Sequence, residues 1–280
     1  MQSFKGRKII IATKHKKEQV IAPILENSLG LLAFVDEKFD TDQLGTFSGE
    51  IERTEGPIET LRKKCLLAME QNKCDLGIAS EGSFGAHPSY FFLNADDEFL
   101  IFIDKKNDLE IIIRELSTDT NIAGSEISNL NHLINFAKQA QFPSHGLIIR
   151  KSQTDYSEVK KGISSWEELK KVFNHFLIDR SSVYVETDMR AHFNPTRMKV
   201  IEIATKKMID KIQSICPQCS TPGFGVTDVK PGLPCMQCKF PTKSTLALIY
   251  ECGKCSYVKE AKFPHQKTTE DSMYCDRCNP

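Results

Sequence analysis

Cys216-Pro217-Gln218-Cys219, Cys235-Met236-Gln237-Cys238, Cys252-Gly253-Lys254-Cys255 and Cys275-Asp276-Arg277-Cys278 gather eight of the ten cysteines after position 215. Four Cys-x-x-Cys pairs have two physical readings, disulfides or metal knuckles. Disulfides need an oxidising compartment, whereas thiolates two residues apart suit tetrahedral zinc in a reducing cytosol. Each pair makes a tight turn that offers two sulfurs, so two pairs complete one four-thiolate site and eight cysteines imply two Zn2+ ions. The gaps between successive pairs are 15, 13 and 19 residues. A tandem pairing, first with second and third with fourth, falls near the usual spacing, and crossed or nested pairings stay open. A closed four-cysteine site has no coordination position for water, so these ions are expected to stabilise a region poor in large apolar side chains rather than to do chemistry. Ser244 to Tyr250 and Ser256 to Lys259 have the β-rich character of ribbon strands around the third knuckle.

The charge of this region bears on its partners. From Ser214 onward it carries eight Lys/Arg against six Asp/Glu, and two ions held by four thiolates each add about −4, leaving the region near −2. That is a poor footprint for a phosphate backbone, so nucleic acid is not an expected partner, and a protein contact or a purely structural role is expected instead. The whole chain balances 37 basic with 37 acidic residues, which excludes a global field toward nucleic acid or an anionic membrane. No apolar stretch approaches the roughly 18 residues of a membrane span, nor is there a signal-peptide core. A cytoplasmic protein is expected.

Upstream, short apolar runs alternate with segments of helical period, the pattern of a mixed-sheet α/β domain over residues 1–212, followed by a double zinc-ribbon domain over 213–280. Lys8 to Thr13 reads as a buried strand, and Glu18 to Leu29 as a helix that Pro23 kinks or restarts. Gly56-Pro57 opens a second helix with Ile58, Leu61, Cys65, Ala68 and Met69 on one face. Asp75 to Ala79 is a strand ending in Ser80-Glu81-Gly82-Ser83. Glu98 to Asp104 and Leu109 to Leu116 form a hairpin. Ser125 begins a helix with Ile127, Leu130, Ile134 and Ala137 inward; His145 to Arg150 is a strand; Ser165 caps a helix that makes Trp166 a core residue. Val183 to Glu186 is the last strand before Asn194 caps, and Pro195 opens, a helix through Ile212. No Gly/Ser-rich linker separates the two regions.

In open α/β sheets ligands gather beyond the carboxyl ends of strands. Three polar clusters fall there. Thr13-Lys14-His15-Lys16-Lys17-Glu18 places ammonium groups and helix N-terminal amides where a polyphosphate could sit, or is a solvated basic turn. Ser80 to Pro88 sets a carboxylate, Glu81, at a strand tip among glycines, a metal ligand or a plain turn. Glu186 to Arg197 packs acids, arginines, a histidine and an asparagine into a strand-to-helix connection, either a site or an ion-pair network that fastens the last helix. Glu50, in Thr46-Phe47-Ser48-Gly49-Glu50, is a further candidate.

Thr13 to Lys17, Glu59-Thr60, Glu81-Gly82 and Arg197 resemble, in order, the strand-turn-helix, the Glu-Thr helix, the Glu-Gly strand end and the C-terminal arginine of the inosine triphosphate pyrophosphatase-like superfamily. Lys14 stands where that superfamily has asparagine, and Lys63 and Lys64 where it has small residues. The chain as a whole, through Phe47 to Ile51, Ile78 to Phe84, Glu186 to Arg190 and Cys275 to Pro280, is similar to a bacterial family of unknown function. The polar clusters and the first resemblance together lead to the expectation of a Mg2+-dependent hydrolase of nucleotides or related phosphate esters. Glu50, Glu81 and Asp188 would then hold metal or activate water, and Thr13, Lys14, Lys17, Arg190 and Arg197 would hold phosphate. The alternative is a non-enzymatic ligand- or protein-binding protein whose zinc ribbons contact a partner.

Overall fold

The structure, a computed structural model, describes residues 4–39 and 56–280. Glu50 and the rest of the Thr46 to Ile51 stretch lie outside the described residues. The chain divides into two units between Met208 and Ile209.

In the first unit, β1 (Lys8–Ala12) is buried from Ile9 onward because it lies inside a five-stranded mixed sheet of order β2-β1-β3-β4-β5. Its parallel neighbours are β2 (Leu32–Phe34) and β3 (Leu76–Ala86). Helix α1 (Glu18–Leu29) joins β1 to β2 and contains Pro23 without ending there. Helix α2 (Pro57–Gln71) lays Leu61, Cys65, Ala68 and Met69 against Ile10, Ala12, Ala79, Ile101 and Ile103, the core of one sheet face. Ile58, expected on that face, is only half-buried.

The strand expected to end at Ala79 runs on to Ala86. It does so because β4 (Asn94–Asp104) pairs with it antiparallel along its whole length, from Leu76 opposite Asp104 to Ala86 opposite Asn94. Glu81 therefore sits within a strand and not at its tip. β1 goes no further than Ala12 opposite Ala79, so β3 overshoots its parallel neighbour at Ser80. β5 (Leu109–Ser117) closes the edge as expected.

A second, four-stranded antiparallel sheet has the order β6-β9-β7-β8, from β6 (Gly124–Ile127), β7 (Leu147–Arg150), β8 (Val159–Ile163) and β9 (Val183–Thr187). Its core is Leu147, Ile149, Val183 and Val185 against Leu133, Ala137, Leu169 and Phe173, with α3 (Leu130–Gln139) and α4 (Trp166–Phe176) supplying the last four. The helix expected from Ser125 starts later. Gly124 to Ile127 pair with β9, and Asn129 is the cap, its Oδ1 accepting from the His132 N–H at 3.0 Å. Trp166 packs on this core, edge-on to Phe142 at 4.8 Å between ring centroids. Asn194 Oδ1 accepts from the Arg197 N–H at 3.0 Å and so caps α5 (Pro195–Gln213) as expected.

The second unit is a three-stranded antiparallel sheet of β10 (Gly225–Pro231), β11 (Thr245–Glu251) and β12 (Val258–Lys262) between two four-cysteine clusters. The sequence reading found the last two strands and not β10. Among the described residues, no helix is long and apolar enough to cross a membrane.

Candidate functional site

The cysteines assemble as two tetrads, Cys216, Cys219, Cys252 and Cys255, and Cys235, Cys238, Cys275 and Cys278. First pairs with third and second with fourth, so the pairing is crossed and not tandem. Three of the knuckles share one backbone device. The residue after the second cysteine (Ser220, Lys239, Ser256) takes a left-handed φ of 55–60° and donates its N–H to the carbonyl of the first cysteine at 2.9–3.0 Å. Sulfurs from different knuckles lie 3.5 to 3.9 Å apart. A tetrahedron with metal–sulfur bonds of about 2.3 Å has an edge of about 3.8 Å, whereas a disulfide needs about 2.05 Å. Both tetrads thus fit a tetrahedral, thiolate-binding cation, and neither has a position left for water.

In the first unit, the overshoot of β3 concentrates charge. Lys17, at the start of α1, is 3% exposed and donates from Nζ to Ser80 Oγ at 2.9 Å. Lys64, on α2, donates to the Ser80 carbonyl at 3.1 Å and to Glu81 Oε2 at 3.2 Å. Arg197, on α5, is 1% exposed; it donates from Nε to Glu98 Oε1 at 2.5 Å and from Nη1 to the Met189 carbonyl at 2.6 Å, and its guanidinium lies over the Phe84 ring. Lys17 Nζ stands 3.9 Å from Glu98 Oε2. Three cations from three helices therefore meet Glu81 and Glu98 where β1 stops.

The electrostatics follow from burial. Desolvation pulls the Lys17 ammonium down to about 7, opposed chiefly by Glu98. Desolvation, and then the positive charges of Lys17, His192, Arg197 and Lys64, drive His15 down to about 3, so that imidazole is neutral at physiological pH. His15 stacks on His192 with ring centroids 5.3 Å apart. Asp96, two residues before Glu98, is pushed up by desolvation and by the Glu98 charge.

The expected site residues separate into groups. Lys17, Arg197 and Glu81 belong to this cluster; Thr13, just after β1, is buried with no hydrogen bond to its hydroxyl among the described residues, and Lys14 is exposed. Asp188 and Arg190 face each other: Arg190 Nε donates to Asp188 Oδ1 at 2.9 Å and Nη2 to Oδ2 at 2.6 Å, and the Gly162 N–H donates to Oδ2 at 3.1 Å. Both lie in the connection from β9 to α5. The sequence reading gives Asp96 and Glu98 no site role; it starts a hairpin strand at Glu98 and leaves Asp96 outside it. The available signal was alternation, since Asp96 and Glu98 share the parity of Leu100 and Phe102, which are buried. Lys64 was read as a departure from a family pattern and given no role.

A family model described as a domain of unknown function, DUF6671, matches residues 64–280. The match begins at Lys64 and takes in Glu81, Glu98, Arg197 and all eight knuckle cysteines. The search of curated proteins found no match.

Proposed function

We propose, for a chain that belongs to the DUF6671 family of unknown function, that the first unit is a metal-dependent hydrolase of nucleotides or related phosphate esters and that the cysteine unit holds two structural zinc ions. The observation that carries the reading is the convergence of Lys17, Lys64 and Arg197, each over nine-tenths buried, on the carboxyl end of a parallel strand pair. Lysine is almost never buried without a task or a partner. One ion pair would fasten a helix, whereas three cations from α1, α2 and α5 outnumber Glu81 and Glu98 and leave positive charge for a phosphate group. Lys17, Lys64 and Arg197 would hold phosphate oxygens, and the Thr13 hydroxyl adds a donor at the same strand end. Glu81 would take the proton of the attacking water as its oxygen bonds phosphorus and the bond to the leaving oxygen breaks. A divalent cation supplies neutralisation of the charge that develops on phosphate. Positioning and electrostatics suffice for this chemistry, so no nucleophilic side chain is required. Zinc, rather than a harder metal, suits four thiolates, and a reducing compartment such as the cytoplasm keeps them reduced.

The second reading is a non-enzymatic binding protein that contacts a partner through the cysteine unit. It is supported by Met236, Phe240, Met273 and Tyr274, which are exposed and lie within a few residues of the cysteines of the second tetrad. Phosphate or pyrophosphate release from a panel of nucleotides separates the two. The hydrolase turns over at least one of them with added Mg2+ and none without; folded, zinc-loaded protein that turns over none of the panel rejects the enzyme.

A further inference from the structure

We infer that Asp96 and Glu98 bind one hard divalent cation of the magnesium class on the face of β4 that Arg197 covers. The inference names the metal ligands of the hydrolase proposed above and rests on that reading for its use, but not for its existence. Residues two apart on a strand project to one face, and these two are 1% and 0% exposed. Glu98 Oε1 is taken by Arg197, while Glu98 Oε2 receives no hydrogen bond among the described residues, with Lys17 Nζ 3.9 Å away. Neither oxygen of Asp96 has a hydrogen-bond donor among the described residues. Three of the four carboxylate oxygens are thus buried without a hydrogen-bond donor among the described residues.

The neighbouring strands do not supply one. Asp96 lies opposite Phe84 and Ser117, and Glu98 opposite Gly82 and Glu115. A buried carboxylate is costly unless it is paired or ligates a metal. Glu98 meets that condition through its ion pairs with Arg197 and Lys17, and among the described residues Asp96 has no hydrogen bond that would meet it. Oxygen donors favour Mg2+ or Mn2+ over the thiolate-seeking metals of the second unit, and such ions keep several of their waters, so two carboxylates are enough. Lys17 and Arg197 face the same carboxylates. They weaken the hold on a bare ion and favour an ion that arrives with an anion, which is the pairing a phosphate ester provides.

The test uses the zinc-loaded full chain, Mn2+ as the probe, and electron paramagnetic resonance to count bound ion, with and without inorganic pyrophosphate. Wild type is expected to bind one Mn2+ per chain beyond what pyrophosphate holds in solution. Asp96→Asn is expected to weaken that binding at least tenfold, and Asp97→Asn, whose carboxylate is held by Arg114, to leave it unchanged. Without metal, Asp96→Asn should melt no lower than wild type, since it replaces a buried carboxyl that has no hydrogen-bond partner among the described residues. Wild type that binds no Mn2+ in either condition overturns the site, as do equal affinities in wild type and Asp96→Asn, or an Asp96→Asn chain that fails to fold. Turnover that survives Asp96→Asn leaves the hydrolase standing and removes this site; lost Mn2+ binding in a chain without turnover does the reverse.

Discussion

Gly82 shows how tightly single residues are constrained in the buried cluster. A Cβ there would meet Glu98 Oε1 at 2.3 Å and Arg197 Nη2 at 2.7 Å, so the ion pair of Glu98 and Arg197 folds directly over a residue that must lack a side chain. Gly82→Ala is expected to cost about 1–3 kcal/mol by forcing the pair apart, read as a lower urea midpoint with an unchanged slope. A midpoint equal to wild type would mean that the pair can shift freely. At this scale the sequence was legible where chemistry is local: the knuckle cysteines, the Asn194 cap and the Ser165 cap follow from spacing and side-chain type alone. It was opaque where partners come from afar. Arg197 and Glu98 are 99 residues apart, and the Gly162 N–H that Asp188 accepts is likewise remote from it in sequence.

Elements decide which charges meet. β1 stops at Ala12 while β3 continues to Ala86, and the length of β3 is set by pairing with β4. The sequence reading ended β3 at Ala79 because Ser80-Glu81-Gly82-Ser83 has turn composition; the long antiparallel partner overrides that local preference. The far end of the same hairpin is held by Asp104, which is fully buried and receives both terminal nitrogens of Arg7 at 2.7 Å and Asn107 Nδ2 at 2.5 Å. Burial raises its pKa, but the hydrogen bonds of Arg7 and Asn107 win, and the carboxyl is held below its ordinary value of 3.8. A carboxyl depressed in the folded state gives stability that is present above the unfolded value and is lost as pH falls through the folded one. Asp104→Asn should therefore lower stability at pH 7 by about 2 kcal/mol, with the gap to wild type closing below pH 3.8. Chemical denaturation at several pH values reads this, and a gap that is constant with pH would assign the loss to packing instead.

At the scale of the whole molecule, the sequence announced an α/β region followed by cysteine knuckles, and the structure has both. It could not choose the pairing of the knuckles, because spacing along the chain favours neighbours, while β10 and β11 carry the first knuckle to the third. Crossed pairing has a sharp consequence. Removing one cysteine from each of the first and third knuckles, in Cys219→Ser with Cys252→Ser, strikes one tetrad only. Elemental analysis should then find one metal ion per chain where wild type has two, whereas tandem pairing would leave none. The claim on which the account turns is that the buried charges where β3 overshoots β1 are a catalytic site and not a fastening. Glu81→Gln tests it most directly, since the amide keeps an acceptor for Lys64 but cannot take a proton from water. Mg2+-dependent nucleotide turnover per folded molecule should fall about a hundredfold or more, while melting moves by a few degrees; a variant that melts far lower, yet whose folded fraction turns over at the wild-type rate, would contradict it.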